Sequence, residues 1–442
     1  MSAIGSVLVA MGHHVSGSDA ANSAALQRLG QLGAEIHVGH DPAWIGAADL
    51  IARSTAIPAD NVELVDAEER GLRVWRRSEL LAAVCAQRRT AAVSGTHGKT
   101  TTSSMLALVM GAGGLKPSMI VGGDIVGVGS GAGWDPAGEW LVVEADESDG
   151  TFLELGAEAV VVTSVEPDHL DFYGTEEAMR AAFARFVSEA SGPAVLCMDD
   201  PGAAALAELE ACGRSVTYGV ADSAAVQISE VALGRADSRF SLSAHGQPIG
   251  PVELSVPGLH NVRNATAAMA LANALGVSWS DAVAGIERFR GVARRFEVRG
   301  YSDGVTYIDD YGHLPAEVSA TVGTALAGKW DRIVAVFQPH RYSRTEALWR
   351  QFATAFAGCD VLLVTDVYPA GERPRPGISG ELIVRAVREQ DPAVDVRYAP
   401  TLDDVAAQLR RVLRAGDLCL TLGAGDITKL PDRMIPAGSP GG

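Results

Sequence analysis

Short apolar segments alternate with longer segments of helical period along most of the chain. The apolar segments lie at 90–93, 140–143, 159–165, 306–308, 331–337, 359–364 and 418–422. The segment 178–187 instead places Met179, Phe183 and Phe186 on one face of a predicted helix. Alternation of this kind is typical of parallel sheets whose strands are joined by helices. The pattern therefore predicts an α/β fold.

Changes in this alternation predict three α/β domains. Residues 1–89 are predicted to form a Rossmann-like N-terminal domain, and residues 90–293 a central P-loop ATPase-type domain. Residues 294–434 show the clearest doubly wound, Rossmann-like pattern. The segment 435–442, rich in Pro and Gly, is predicted to be a disordered tail.

The N-terminal domain is expected to lack its first strand. A helix is predicted over 2–11, followed by a short strand at 16–19 that ends in Asp19. In a Rossmann-like unit, an acidic residue at the end of the second strand binds a ribose hydroxyl, about 20 residues after a glycine turn. That turn would fall before Met1. Either the strand and its turn are missing, or Asp19 is a solvated strand end.

Composition and charge narrow the classes of ligand. The 442 residues include 36 Lys and Arg against 54 Asp and Glu, which gives a net charge of −18 and disfavours binding to nucleic acid or an anionic membrane. No apolar run reaches the length of a transmembrane helix, and no signal peptide is apparent, so a cytoplasmic protein is expected. The five scattered cysteines suggest neither disulfides nor a zinc site: Cys85, Cys197, Cys212, Cys359 and Cys419.

The strongest chemical motif directly follows the apolar segment 90–93. It reads Gly95-Thr96-His97-Gly98-Lys99-Thr100-Thr101-Thr102 and precedes a helix predicted over 103–110. Glycines let backbone N–H groups converge on phosphate oxygens, and the helix N-terminus adds its positive end. Lys99 would span the β- and γ-phosphates, and Thr100 would offer its hydroxyl to Mg²⁺. Although Val93 stands where the usual spacing has its first glycine, the motif predicts a phosphate loop.

Two acidic motifs also follow apolar segments. E-A-D-E-S-D occupies 144–149, and E-P-D-H-L-D occupies 166–171. A carboxylate at the end of a strand beside a phosphate loop completes the coordination of Mg²⁺. The alternatives are a solvated acidic loop and, for His169, a structural hydrogen-bond donor.

Four later clusters are candidates for ligand contact. They are P-G-L-H-N-V-R-N at 257–264, R-R-F-E at 294–297, D-D-Y-G-H at 309–313 and Q-P-H-R-Y-S-R at 338–344. The first precedes an Ala-rich helix and suits either a nucleotide or a simple helix cap. The second suits either a phosphate or an inter-domain salt bridge. The last two follow strands of the C-terminal domain, where doubly wound folds hold ligands.

Taken in order, these motifs resemble those of the Mur ligase family, from about residue 1 to residue 429. The resemblance implies an ATP-dependent, carbon–nitrogen bond-forming ligase of peptidoglycan precursor synthesis. The segments 16–19, 54–58 and 337–345 point to the member that joins L-alanine to UDP-N-acetylmuramate through an acyl phosphate. The alternatives are the ligase that returns a recycled tripeptide to the UDP-sugar, and a non-catalytic nucleotide-binding remnant without the glycine turn.

The resemblance also implies roles for individual residues. ATP is assigned to Gly95, Thr96, His97, Gly98, Lys99, Thr100, Thr101, Asn264, Arg295 and Asp310. Catalysis is assigned to Lys99, Arg295, Asp310 and His313; metal binding to Thr100, Glu144 and His169. The UDP-substrate is assigned to Ser18, Asp19 and Ser54, and the amino acid to Arg341 and Arg344. One departure from the family pattern is Leu314, which stands where a second histidine is usual.

Overall fold

The computed structural model describes residues 1–54, 56–208 and 215–436. The chain separates into two compact units. The first comprises residues 1–231, 239–254 and 260–290, and the second comprises 232–238, 255–259 and 291–442. The predicted α/β class is confirmed, and parallel strands make up most of each sheet core.

Two small parallel sheets lie within the first 89 residues. The elements are α1 Ser2–Ala10, β1 Ser16–Asp19, α2 Ala24–Gln31, β2 Glu35–Val38, β3 Leu50–Arg53, α3 Val62–Glu69, β4 Arg73–Arg76 and α4 Arg77–Cys85. Strand β1 pairs with β2, and β3 pairs with β4. The predicted helix over 2–11 and the predicted strand at 16–19 are both confirmed.

A ten-stranded sheet carries the central part of the chain. Its elements are β5 Arg89–Ser94, α5 Lys99–Ala112, β6 Ser118–Ile120, β7 Ala132–Gly133, β8 Trp140–Glu144, β9 Ala159–Val162, α6 Leu170–Tyr173, α7 Glu176–Glu189, β10 Ala194–Cys197, α8 Pro201–Ala207, β11 Ser215–Gly219, β12 Val226–Leu233, β13 Ser238–Ala244, β14 Gln247–Leu254, α9 Leu259–Ala274 and α10 Trp279–Ile286. The strand order is β14-β13-β12-β11-β10-β9-β5-β8-β6-β7. On α7, the predicted apolar face is buried, and Phe183 and Phe186 both pack on Phe152.

A six-stranded sheet organises the second unit. Its elements are β15 Glu297–Ser302, β16 Val305–Asp310, α11 Pro315–Ala327, β17 Arg332–Phe337, α12 Tyr342–Leu348, β18 Val361–Val364, α13 Glu381–Gln390, β19 Asp395–Tyr398, α14 Leu402–Val412, β20 Asp417–Leu422 and α15 Leu430–Met434. The order is β15-β16-β20-β17-β18-β19, in which β15 alone is antiparallel to its neighbour among the described strands.

Alternate residues of these strands enter two separate apolar cores. On β17, Ala335 and Phe337 lie in one core, whereas Val334 and Val336 lie in the other. Side chains of a strand alternate between the two faces of its sheet, so both faces are covered. The doubly wound prediction for this part of the chain is confirmed.

Several predicted boundaries were wrong. The strand expected at 159–165 ends at Val162, and the side chains of Thr163 and Ser164 hydrogen-bond to His97 of the glycine-rich loop. The helix expected at 103–110 begins at Lys99. The helix expected after 257–264 begins at Leu259 and contains most of that motif.

The predicted disordered tail was wrong at its start. Ile435 donates its backbone N–H to Pro431 and packs against a core of the second unit. Residues 437–442, like Cys212 and Thr55, lie outside the described residues. The other four cysteines are free and buried. Among the described residues, no helix is both long enough and apolar enough to cross a membrane.

Candidate active site

Three sequence motifs meet at the carboxyl edge of the central sheet. Strand β5 lies between β9 and β8, and all three run parallel. In this register Val93 is opposite Glu144, and Ser94 is opposite Val162. The glycine-rich loop therefore leaves the sheet between the acidic segment 144–149 and the segment 163–169. This convergence is what the sequence motifs predicted for a nucleotide site.

The loop is tied to the segment that follows β9. Thr96 N donates to Ser164 O at 3.0 Å, and His97 N donates to Ser164 Oγ at 3.1 Å. Thr163 Oγ1 donates to His97 O at 2.5 Å. Two loop N–H groups expected to converge on phosphate are thus used inside the protein. The N–H groups left for an anion belong to the first turn of α5, where a helix provides no internal acceptors.

Two glycines permit this close packing. Gly98 caps α5 with φ of 81°, and a Cβ at that position would lie 2.6 Å from Asn264 Oδ1. Gly95 has φ of 132°, and a Cβ there would overlap Thr163 Oγ1. Both conformations are disfavoured for residues with a Cβ. Asn264 is itself 5% exposed, so the structure places this predicted ATP residue against the glycine-rich loop.

Lys99 is held by three acceptors at the start of α5. Its Nζ donates to Gly95 O at 2.8 Å, to Thr96 O at 3.4 Å and to Glu147 Oε1 at 2.8 Å. Glu147 is only 2% exposed, and burial raises the pKa of its carboxyl, an effect that Lys99 opposes. The ammonium therefore lies at the N-terminal end of α5 with an acidic partner.

The predicted metal ligands lie around the same edge. Thr100 is buried in the first turn of α5. Glu144 ends β8, and its Oε2 accepts from Gly122 N at 2.7 Å. His169 has φ of 52°, and its Nε2 lies 3.4 Å from Asp168 Oδ2. Among the described residues, no group of three or more His, Cys, Asp or Glu side chains is arranged to hold a metal.

The residues predicted for the UDP-substrate lie at the ends of β1 and β3. Ser18 Oγ donates to Glu63 Oε2 at 2.6 Å and lies 3.2 Å from His40 Nδ1. Asp19 Oδ1 accepts from Ala21 N at 3.0 Å. Ser54 Oγ accepts from Ala56 N at 3.3 Å. Thus Asp19 and Ser54 stabilise local turns, whereas Ser18 joins a polar cluster with Glu63 and His40.

Arg294 and Arg295, in the second unit, have different environments. Arg294 donates to Gly423 O at 2.5 Å, and its Nε lies 3.3 Å from Asp309 Oδ2. Arg295 lies over the Tyr311 ring, 5.3 Å from its centroid, and its guanidinium makes no hydrogen bond to any described residue. Arg294 is therefore a structural residue, whereas the guanidinium N–H groups of Arg295 remain available to donate to a ligand.

Asp310 connects the loops on either side of it. Its Oδ2 accepts from Phe296 N at 2.8 Å, and its Oδ1 accepts from Gly312 N at 2.8 Å and from Thr321 Oγ1 at 3.1 Å. Burial raises the pKa of this carboxyl, and Arg295 opposes the rise. Both carboxylate oxygens accept hydrogen bonds inside the unit, so Asp310 fixes the backbone at Phe296 and Gly312.

His313 begins the loop that enters α11. The Oε2 of Glu317 accepts from His313 N at 2.9 Å and from Leu314 N at 3.1 Å, and it lies 3.5 Å from His313 Nδ1. Burial lowers the pKa of His313. Leu314, the departure noted above, uses only its backbone here, so the substitution leaves this cap intact.

A basic cluster follows β17 in the same unit. Arg344 Nη1 lies 3.1 Å from His340 Nδ1, and the His340 and His313 rings are 5.5 Å apart. Burial, His313 and the two nearby arginines, Arg344 and Arg341, lower the pKa of His340 to about 4. The cluster thus combines cationic arginines with neutral imidazoles, a combination that suits a carboxylate.

Sequence reasoning overlooked three residues. These are Glu147, Glu317 and His340, which contact Lys99, His313 and Arg344 respectively. Glu147 lies in the acidic motif 144–149 and His340 in the motif 338–344, but neither motif indicates a role for them. Glu317 stands three residues after Leu314, a capping-box spacing that could have identified it.

The fold and the site together define a class: an α/β protein with a glycine-rich phosphate loop at the carboxyl edge of a central sheet. Family models match nearly the whole chain. "Mur ligase family, catalytic domain" covers residues 1–89, "Mur ligase middle domain" covers 93–272, and "Mur ligase, glutamate ligase domain" covers 294–425. The chain belongs to the Mur ligase family.

Individual relatives are similar along their full length. A UDP-N-acetylmuramate–L-alanine ligase of Nitratidesulfovibrio vulgaris is 43% identical over 98% of this chain and 96% of its own. One from Solidesulfovibrio magneticus is 45% identical over 97% and 93%. The crystal structure of UDP-N-acetylmuramate-alanine ligase from Thermotoga maritima has a TM-score of 0.84 at 27% identity, covering 98% of this chain and 95% of that one.

Proposed function

We propose that the chain is the ATP-dependent ligase that joins L-alanine to UDP-N-acetylmuramate in peptidoglycan precursor synthesis. The observation that carries this assignment is the 43–45% identity to ligases of that name over nearly the whole of both chains. The phosphate loop and its lysine account for the use of ATP.

The reaction has two chemical steps. The carboxylate of the UDP-linked muramic acid attacks the γ-phosphorus of ATP, which releases ADP and gives an acyl phosphate. The free amine of L-alanine then attacks the acyl carbon; inorganic phosphate leaves, and the nitrogen loses a proton. No side-chain nucleophile is needed, so the protein contributes positioning and charge stabilisation.

The transferred phosphoryl group is assigned to Lys99 and Arg295. Lys99 lies at the N-terminal end of α5, where the first-turn N–H groups favour an anion. The role proposed for Arg295 is supported by its guanidinium, which makes no hydrogen bond to any described residue and so can donate to a phosphate. Asn264, beside Gly98, is proposed to contact the nucleotide.

Thr100, Glu144 and His169 are proposed to hold Mg²⁺. The hydroxyl and the carboxylate are hard oxygen donors, and Mg²⁺ commonly takes only one or two protein ligands beside phosphate oxygens and water. The Thr100 hydroxyl and the Glu144 carboxylate therefore fit the ion without an all-protein cluster, and the His169 imidazole is the third proposed donor. When bound, the ion neutralises charge on the phosphoryl oxygens.

The amino acid is assigned to the basic cluster of the second unit. Arg341 and Arg344 are proposed to bind the carboxylate of L-alanine, with His313 beside them. Asp310 is proposed to act through the backbone that it fixes on both sides, next to Arg295 and before His313. Ser18, Asp19 and Ser54 remain the proposed contacts of the UDP-substrate.

A product assay tests this function. Phosphate release and ligated product should require ATP, UDP-N-acetylmuramate and free L-alanine together, and Lys99→Ala should abolish product while the protein stays folded. If free tripeptide is joined and L-alanine is not, the chain is the recycling ligase instead. A murein peptide ligase from Psychrobacter arcticus shares the fold, with a TM-score of 0.71, but at 22% identity it does not favour that alternative.

A further inference from the structure

The contact between Lys99 and Glu147 is unusual because it is almost entirely buried. The Glu147 side chain is 2% exposed, and that of Lys99 is 16% exposed. Nζ has three N–H donors, and the structure gives it three acceptors, which are two loop carbonyls and Glu147 Oε1. A phosphate oxygen can therefore reach this ammonium only by displacing one of them.

The second oxygen of the same carboxylate is left without a partner. Glu147 Oε2 is buried and accepts no hydrogen bond from the described residues. The backbone of Glu147 is fixed meanwhile, because its carbonyl accepts from Tyr173 Oη at 2.5 Å. An unpaired buried acceptor costs free energy, so stability alone does not account for this carboxylate.

We infer that Glu147 is a positioning residue that holds Lys99 in place of phosphate and competes with ATP for its ammonium. This inference rests on the proposed ATP site but not on the identity of the amino acid. Like charges repel, so a buried carboxylate beside Nζ opposes the arrival of a triphosphate. Glu147 would thus lower the affinity for ATP while keeping the lysine ordered before the nucleotide binds.

The test is calorimetric titration of the full chain with ATP and Mg²⁺. Glu147→Gln keeps the shape of the side chain and removes its charge, so ATP should bind roughly tenfold more tightly, because one buried like charge is removed. Asp149→Asn is the matched control, since it removes a charge from the same loop, where the hydrogen bonds of Asp149 come only from Thr151 among the described residues. The affinity of this variant for ATP should change less than about twofold, because the three acceptors of Nζ do not include Asp149.

A second pair of variants isolates the contact itself. In a Lys99→Met background, the gain in ATP affinity from Glu147→Gln should be smaller than in the parent, because the competition for the ammonium is gone and only the repulsion between carboxylate and phosphate remains. Thermal melts establish that each variant is folded. If Lys99→Met does not fold, Lys99→Arg serves as the background, and the effect of Glu147→Gln should differ there from its effect in the parent.

The ATP affinities of these variants either support the inference or overturn it. Tighter binding in Glu147→Gln that depends on Lys99 supports it. Unchanged binding, weaker binding, or an equal gain in Asp149→Asn overturns it. ATP binding is measured without alanine or the UDP-substrate, so a failure of the ligase assignment would appear only in the product assay and would leave this test intact.

Discussion

Replacing Gly98 with Ala tests a close contact between the glycine-rich loop and Asn264 in the candidate nucleotide site. Gly98 has φ of 81° at the N-cap of α5, and an added Cβ would lie 2.6 Å from Asn264 Oδ1 and 3.3 Å from its Cγ. Real Cβ atoms do not approach that closely, so either the loop or Asn264 must move. Because Asn264 is buried within α9, the loop is expected to move.

Two costs add up at this position. Left-handed backbone costs an L-residue about 1–2 kcal/mol, and forcing an extra methyl into a packed site costs about 1–3 kcal/mol more. We therefore expect Gly98→Ala to lose roughly 2–5 kcal/mol of unfolding free energy. Affinity for ATP should also fall, because the first turn of α5 and Asn264 are both displaced from their positions.

Gly114→Ala is the matched control. Gly114 follows the same helix with φ of 79°, and nothing lies within 4 Å of an added Cβ. It should therefore lose only the backbone share, about 1–2 kcal/mol, and keep its affinity for ATP. Urea unfolding and ATP titration of both variants provide the comparison. Equal losses of stability, or unchanged ATP affinity in Gly98→Ala, would show that the tight contact with Asn264 does not shape the site.

Three further predictions concern single residues. Glu144→Gln and His169→Ala should each raise the Mg²⁺ concentration needed for half-maximal product formation; magnesium titrations that overlay the parent curve would make these residues structural. Asp310→Asn should lose about 2–4 kcal/mol of unfolding free energy in urea, because an amide cannot accept all three hydrogen bonds; an unchanged midpoint would contradict this. His340→Gln should flatten the pH dependence of stability between pH 6.5 and about 4. In the parent, the unfolded state binds a proton in this range that the folded state does not bind, so the parent loses stability as the pH falls from 6.5 to about 4. The same pH dependence of the melting temperature in both proteins would refute this prediction.

The fold class could be predicted from the sequence because it depends on short apolar runs, each of which lies within a few consecutive residues. Buried parallel strands read as short apolar runs, and β5, β8, β17 and β20 were each located from such runs. The misplaced end of β9 shows the limit of that signal. Thr163 and Ser164 were included in the predicted strand, yet it ends before them, where they hydrogen-bond to Thr96 and His97 of the glycine-rich loop. Only tertiary contact decides such an end.

The candidate site was predicted unevenly for a related reason. Residues in one motif, such as Gly98 and Lys99, were identified because the motif itself places them between an apolar strand and a predicted helix. Partners from distant segments were not identified, since nothing in the sequence pairs Glu147 with Lys99, 48 residues away. A cluster of six residues with four acids gave no sign of which carboxylate turns inward.

Asp310 illustrates how a residue can matter to a site without contacting a ligand. The residues next to Arg295 on both sides have left-handed backbone, with φ of 62° at Arg294 and 47° at Phe296. Such conformations cost free energy in residues with a Cβ and persist only where neighbouring contacts enforce them. One contact is the hydrogen bond from Phe296 N to Asp310, and another is the bond from Arg294 N to Glu297. Because Asp310 also fixes Gly312 N, one buried carboxylate sets the backbone beside both Arg295 and His313. Loss of catalysis in an Asp310 variant would therefore report the position of these two residues as much as any contact of Asp310 with nucleotide.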